Sequence, residues 1–380
     1  FRRLKRGVIG AEVANVLIAE LLDDRLRVRM PLATWLGAGA VTALMTLVAC
    51  MFVHAGPQAL AATLPPEVQQ VFESFITTEY MTIDRRGQPI GWPVTPYYRP
   101  GDPCIDVTTG LGYPKKAKDA LANPKVALLF SDPTGSGIER APQVLVQGTA
   151  DVDDRDLAHN RERYTRESVE KLPGMKQMLP PKPLRGLFDW YYTRIYMHVR
   201  PERVYVWPDG DATQEPRLFD AHMEEVRSGH DEEPPARHAP AEGGMAEWDT
   251  RMDELGARYP SAVLSFVAPD GFPFALRVPI SVDRAARRIR IGAGALGLPV
   301  QPGLACVTAH DHHPRFVWQR NFQVRGDLVE EDDGWAVIPH RLIGGFELPP
   351  GSALQRYRLN FRKILRYRRR AKAEMRERRR

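Results

Sequence analysis

The chain has 380 residues, 43% hydrophobic and 26% charged, a balance that excludes a disordered segment and leaves room for two domains of ordinary size. Its three cysteines, Cys50, Cys104 and Cys306, are far apart and exclude both a disulfide framework and a CxxC metal site. The net charge of +6 is unevenly placed: from Arg356 to Arg380 thirteen Lys/Arg face two Glu, a local charge of +11, which leaves −5 for the rest.

Residues 1–62 read as a basic and hydrophobic N-terminal segment. Pro31 to Val53 carries no charge, long enough to cross a ~30 Å hydrocarbon core, and seven Lys/Arg precede it. This predicts an N-terminal hydrophobic helix at 31–53, a candidate membrane anchor. Leu47-Val48-Ala49-Cys50 and Ala59-Leu60-Ala61 resemble processing boxes, so export is a competing reading. Residues 63–207 form the first unit. A short amphipathic helix over Leu64 to Phe75 opens on Pro65-Pro66. Strands follow at Glu79–Asp84, Ile90–Tyr97 and Cys104–Thr109, with turns at Arg85-Arg86-Gly87 and Pro100-Gly101-Asp102. Then come a helix over Tyr113–Asn123, strands at Lys125–Ser131 and Gln143–Val152, a charged helix at Asp153–Leu172 and a closing strand at Ile195–Trp207.

Residues 208–250 turn to Pro, Gly, His and acid, the composition of a linker. The earlier pattern then recurs over 251–347. Pro269-Asp270-Gly271-Phe272-Pro273 echoes Arg85-Arg86-Gly87-Gln88-Pro89, Arg288–Gly292 echoes Cys104–Thr109, and Phe322–Leu328 echoes Val144–Ala150 with Gly326 opposite Gly148. Short strands punctuated by Gly and Pro predict small barrels. The expected fold is β-rich α+β, with two barrels in tandem. Residues 348–380 form a basic C-terminal tail, suited to an anionic membrane surface rather than to specific nucleic-acid recognition.

Adjacent Lys115 and Lys116 at a helix start add two cations to the positive end of the helix dipole, a combination suited to a phosphate. Thr109 offers a hydroxyl, Gly110 and Gly112 open access to the backbone, and Gln143 carries an amide with both donor and acceptor. The run Thr109-Gly110-Leu111-Gly112-Tyr113-Pro114-Lys115-Lys116-Ala117 resembles the T-N-x-x-S-R-K-A/G motif of the pyridoxamine 5'-phosphate oxidase family of split-barrel flavoproteins. Asn123-Pro124 to Phe130 resembles that family's N-P-x-x-x-L-x-F, and Gln143-Val144 its next Q-V.

The resemblance implies an FMN-binding split barrel, with deazaflavin coenzyme F-420 as the alternative cofactor. The two tandem barrels would form a pseudo-dimer, monomeric or paired as a homodimer. Trp92-Pro93-Val94-Thr95 would run beside the flavin, and Lys115, Lys116, Thr109 and Gly110 would hold its phosphate. Gln143 would meet its pyrimidine edge, and Arg320 of the second unit would form part of the opposite wall. The implied activity is hydride transfer through FMN to or from a small substrate, in the cytoplasm; a non-catalytic flavin or haem carrier is the competing class. Two departures stand out: Lys-Lys replaces Arg-Lys, a point charge in place of a planar fork, and the family's R-L-H-D-R-type motif has no counterpart, so oxidation of vitamin B6 is not expected. The second unit has no Lys pair and is expected to bind no phosphate.

Two other motifs are set aside. Gly292-Ala293-Gly294-Ala295-Leu296-Gly297 matches G-x-G-x-x-G, but Pro299 and Pro302 forbid the helix that a dinucleotide site needs. His310-Asp311-His312-His313 is expected to be a surface turn before Pro314 rather than a metal site.

Overall fold

The computed structural model describes residues 64–378 apart from 173, 176–185, 187, 221–247, 293–297, 333, 346 and 349–352. The expectation of a membrane-crossing helix is corrected: no helix among the described residues is long and apolar enough to cross a membrane, and 31–53 lies outside them. Five of the six residues of the G-x-G-x-x-G match also lie outside.

Helix α1 (Pro66–Ser74) begins where two prolines cost no helical hydrogen bond, and its Val68, Val71 and Phe72 face inward at i, i+3 and i+4. The hairpin β1 (Thr78–Ile83) and β2 (Pro89–Val94) closes over a turn in which Gly87 has φ +76°. There the Asp84 carboxylate accepts from the backbone N–H groups of Arg86 and Gln88. β3 (Ile105–Gly110), α2 (Lys115–Ala122), β4 (Lys125–Phe130) and β5 (Gln143–Asp153) follow. The charged helix starts later than predicted, as α3 (Leu157–Lys171), because β5 runs on to Asp153 and Asp156 caps the helix by accepting from the His159 N–H. A single turn, α4 (Asp189–Tyr192), leads into β6 (Arg194–Trp207). The stretch expected to be a linker adds a strand, β7 (Arg217–Asp220), paired with β6.

The second unit holds α5 (Thr250–Arg258), β8 (Ser261–Val267), β9 (Pro273–Asp283), β10 (Arg288–Ile291), β11 (Gly303–His312), β12 (Gln319–Glu331) and β13 (Gly334–Gly344). Its strands run β10-β13-β12-β11-β8-β9 and close into a barrel; those of the first unit run β2-β1-β4-β5-β6-β3, the same order, without β2–β3 pairing beyond the bridge between Tyr97 and Asp106. The repeat seen in sequence has a physical counterpart. β5 and β12 each carry a register shift, at Gln147/Gly148 and at Arg325/Gly326. A Cβ on Gly148 would lie 1.9 Å from the Arg200 carbonyl oxygen, and one on Gly326 2.1 Å from that of Ile338. Both bulges need glycine because the neighbouring backbone occupies the place of a side chain.

The β4 sequence Val126-Ala127-Leu128-Leu129-Phe130 shows no polar alternation because both faces are buried. Val126, Leu128 and Phe130 pack in the first unit's own core with Val144 and Val146. Ala127 and Leu129, with Met81, Leu145 and Trp207, join a second core built mainly from the second unit, around Phe266, Phe274 and Phe322. The contact between the units is thus an apolar core in its own right.

The basic tail folds as a helix, α6 (Ala353–Glu377). It lies on the first unit, where Ala371 is buried and Tyr367 stacks on Trp190, ring centroids 5.4 Å apart.

Candidate functional site

A cavity of about 480 Å3 opens where the first unit leaves β2 and β3 unpaired. Trp92, Pro93, Val94 and Thr95 form one side, with Thr108 of β3, Lys115 and Lys116 of α2, and Arg194 of β6. The facing wall comes from the second unit: Gln319, Asn321 and Arg325 of β12, then Arg341, Ile343 and Gly344 of β13. Tyr367 and Arg370 of α6 complete it. Six cations line this space, and no Asp or Glu stands among its lining residues.

The cations are held differently. Lys115 donates to the Asp119 carboxylate at 2.9 Å and lies 3.8 Å from Asp84, both behind the wall. Lys116 has no carboxylate beside it among the described residues and sits over the Tyr113 ring, 5.6 Å from its centroid. Burial, and then the like charge of Arg194, push its amine down to about 8. Arg194 donates to the Tyr113 and Tyr164 hydroxyls at 3.0 and 2.7 Å and stacks on Tyr164 and Tyr191, while its buried Nε has no hydrogen-bond partner. Arg325 donates to Gln323, and burial holds its guanidinium below the usual range. A space of this kind, cationic and partly desolvated with aromatic walls, is suited to an anionic ligand bearing a flat ring.

The structure brings six of the ten sequence-predicted residues to this cavity: Trp92, Pro93, Val94, Thr95, Lys115 and Lys116. The other four lie elsewhere. Thr109 Oγ1 donates to the Tyr113 carbonyl, tying down the loop before α2. Gly110 is needed for packing, since a Cβ there would lie 2.7 Å from the Tyr113 ring; one on Gly112 would meet Tyr367 at 2.9 Å. The N–H groups of this loop are already taken: Leu111 donates to the Thr193 carbonyl and Tyr113 to that of Gly110. Gln143 is buried at the unit contact, its Oε1 accepting from the Arg277 N–H and its Nε2 unpartnered. Arg320 pairs with Glu254 at 2.6 Å, on the face of β12 opposite the cavity.

Strand parity explains both displacements. Gln319, Asn321 and Arg325 share one face of β12, and Arg320 takes the other. Gln143 stands five residues before Gly148 as Asn321 stands five before Gly326, so the matching amide at this cavity is the second unit's Asn321. Arg325 was legible from that parity. Arg194, Arg341 and Arg370 carried no local signal.

Behind the cavity wall the His310–His313 run departs from the expected surface turn. It ends β11, with His310 and His312 buried on the face turned to the first unit. Glu79 accepts from Arg277 Nη2 at 3.1 Å and Ser131 Oγ at 2.9 Å, and it pairs closely with His310. Burial alone would raise the Glu79 carboxyl, but His310 and Arg277 hold it below the ordinary value. Thr77, which lines the cavity, hydrogen-bonds His312 at 3.1 Å. Among the described residues no group of three or more His, Cys, Asp or Glu is placed to hold a metal ion.

No protein-family profile and no curated protein matches the sequence. Solved structures similar to the chain include general stress protein 26 from Bacillus anthracis, 15% identical, covering 40% of this chain and 95% of its own, with a TM-score of 0.27. A protein related to general stress protein 26, of the pyridoxinephosphate oxidase family, from Clostridium acetobutylicum is 14% identical, covering 40% and 92%, TM-score 0.27. An F-420 reductase is 17% identical, covering 37% and 98%, TM-score 0.28.

Proposed function

We propose that the chain is a flavin-dependent oxidoreductase that holds one FMN in the cavity between its two strand-rich units, which act together as a pseudo-dimer. The carrying observation is the cavity lining, six cations without a carboxylate, contributed by both units and by α6. Lys116, desolvated beside Arg194, lacks the counter-charge that a phosphate monoester supplies. Lys115 and Lys116 would hold that phosphate, Trp92 to Thr95 would flank the ring, and the amides of Gln319 and Asn321 would face its polar edge.

When bound, the cofactor supplies hydride exchange with a small substrate. The chain's own part is position and electrostatics. Tyr113, Tyr164 and Tyr191 hold the Arg194 guanidinium in place, and α6 covers the space through Tyr367. Burial pushes the Tyr113 phenol up to about 12, so it serves as a neutral hydrogen-bonding group. A deazaflavin, F-420, is the second reading, favoured by the surplus of Arg325, Arg341 and Arg370 over the needs of one phosphate monoester.

Titration of FMN and of F-420 into the full-length protein, followed by absorbance and calorimetry, tests the proposal. One site per chain is expected for one of the two; two sites per chain, or no saturable binding of either, would overturn it.

A further inference from the structure

Helix α6 presents two different faces. Ile364, Tyr367, Ala371 and Met375 pack on the first unit. At the rim of that contact Glu374 pairs with Lys118 and Arg378 with Asp154. On the other side Arg358, Arg362, Arg366, Arg369 and Arg376 are all exposed. At about 100° and 1.5 Å per residue these five fall within an arc of about 80° and extend over about 27 Å. None of the five has an ion-pair partner among the described residues, and both acidic residues of the helix, Glu374 and Glu377, turn to Lys118. Phe361, 42% exposed, flanks the stripe.

We propose that this arginine face is a docking surface for an anionic lipid bilayer. The helix is held from Ile364 to Met375 by its inner face, so that part of the stripe is preset as a row rather than ordered on contact. The same docking argues against duplex nucleic acid. A major groove about 12 Å wide admits a helix of about 10–12 Å only when the helix stands clear of its own protein. A flat polyanionic surface has no such requirement. The rest of the chain sums to −5, so the excess positive charge is concentrated in the segment that forms α6. Arginine keeps its charge throughout the physiological range, so lipid charge and ionic strength control docking, not pH.

The test is sedimentation of the full-length protein with vesicles of phosphatidylcholine alone or mixed with phosphatidylglycerol. Binding is expected only to the mixed vesicles at low salt, and loss is expected as added salt shortens the screening length from about 10 Å at 0.1 M toward about 3 Å at 1 M. Arg362→Gln with Arg369→Gln should lower the partition coefficient roughly thirtyfold, the loss expected for two arginines near a charged surface. Arg86→Gln with Arg140→Gln, exposed residues away from α6, should leave it unchanged. All four positions are exposed, and unchanged circular dichroism and melting temperature would confirm that each variant folds. Equal losses in the two double variants would overturn the proposal in favour of diffuse charge. Undiminished binding by the α6 variant, absence of binding at low salt, or tighter retention on duplex DNA than on vesicles would each also overturn it.

Discussion

Burial beside Arg194 lowers the Lys116 amine, so if the cavity holds the FMN phosphate as proposed, its affinity depends on pH with a definite sign. Below about 8 the free amine is already charged and meets a dianion directly. Above that value binding must first take up a proton, so affinity falls as pH rises, by up to tenfold per unit until the pKa of the bound form is reached. Calorimetric titration of FMN between pH 7 and 10 should show this fall in the wild type and not in Lys116→Ala. At pH 7 that variant should bind about tenfold or more weakly, the effect of one lost charge-assisted hydrogen bond. Lys118→Ala and Arg320→Ala should bind as the wild type does, because Lys118 turns to Glu374 and Arg320 to Glu254. Equal weakening in Lys116→Ala and Lys118→Ala would mean that the helix face acts as diffuse charge. The Lys pair was legible in sequence because adjacency at a helix start is a local property. Arg320 was misplaced by one residue of strand parity, and Arg370 reaches the cavity only through the tertiary docking of α6.

At the scale of elements, the twin bulges give the firmest prediction. Gly148→Ala and Gly326→Ala each drive a methyl group to within about 2 Å of a carbonyl oxygen on the paired strand. Each should destabilise the protein by about 3 kcal/mol or more, since backbone rather than a flexible side chain must move. Gly186→Ala, with no heavy atom of the described residues within 4 Å of its added Cβ, is the control. Urea unfolding followed by circular dichroism checks this, and a loss below about 1 kcal/mol at either bulge would mean that the strands relax apart. Turns, caps and the repeat itself were readable because Gly, Pro and Asp act within a few residues. The histidine run was not: a Pro after four polar residues reads as a turn, yet every second residue of β11 faces the other unit, where Glu79 waits 231 positions away. The tail's basic composition was equally opaque to its docked inner face, which needs Trp190 as a partner.

For the whole molecule, the unit contact is both a core and a charge cluster. Met81, Leu129, Leu145 and Trp207 are buried in it, while Glu79 pairs with Arg277 and His310 across it. Each unit therefore buries one face of its sheet against the other, and residues of both line the cavity. The two barrels differ at one seam: β9 and β10 pair over four residues, whereas β2 meets no strand on its outer side among the described residues. The Gly91 carbonyl there accepts from the side chains of Thr308 and Gln323 instead. An edge of this kind opens locally at a lower free energy than a paired seam. In deuterated solvent the amides of Ile90, Gly91, Trp92 and Val94 are therefore expected to exchange faster than those of Arg288–Ile291. Saturation with the cofactor should slow exchange at Trp92 to Thr95 and at Ile343 to Gly345, leaving the β9–β10 seam almost unchanged. Mass-spectrometric exchange profiles with and without FMN decide it: equal slowing at both seams would show that ligand stiffens the entire molecule, whereas a change confined to the open seam marks the gap between β2 and β3 as the hinge through which the cofactor enters.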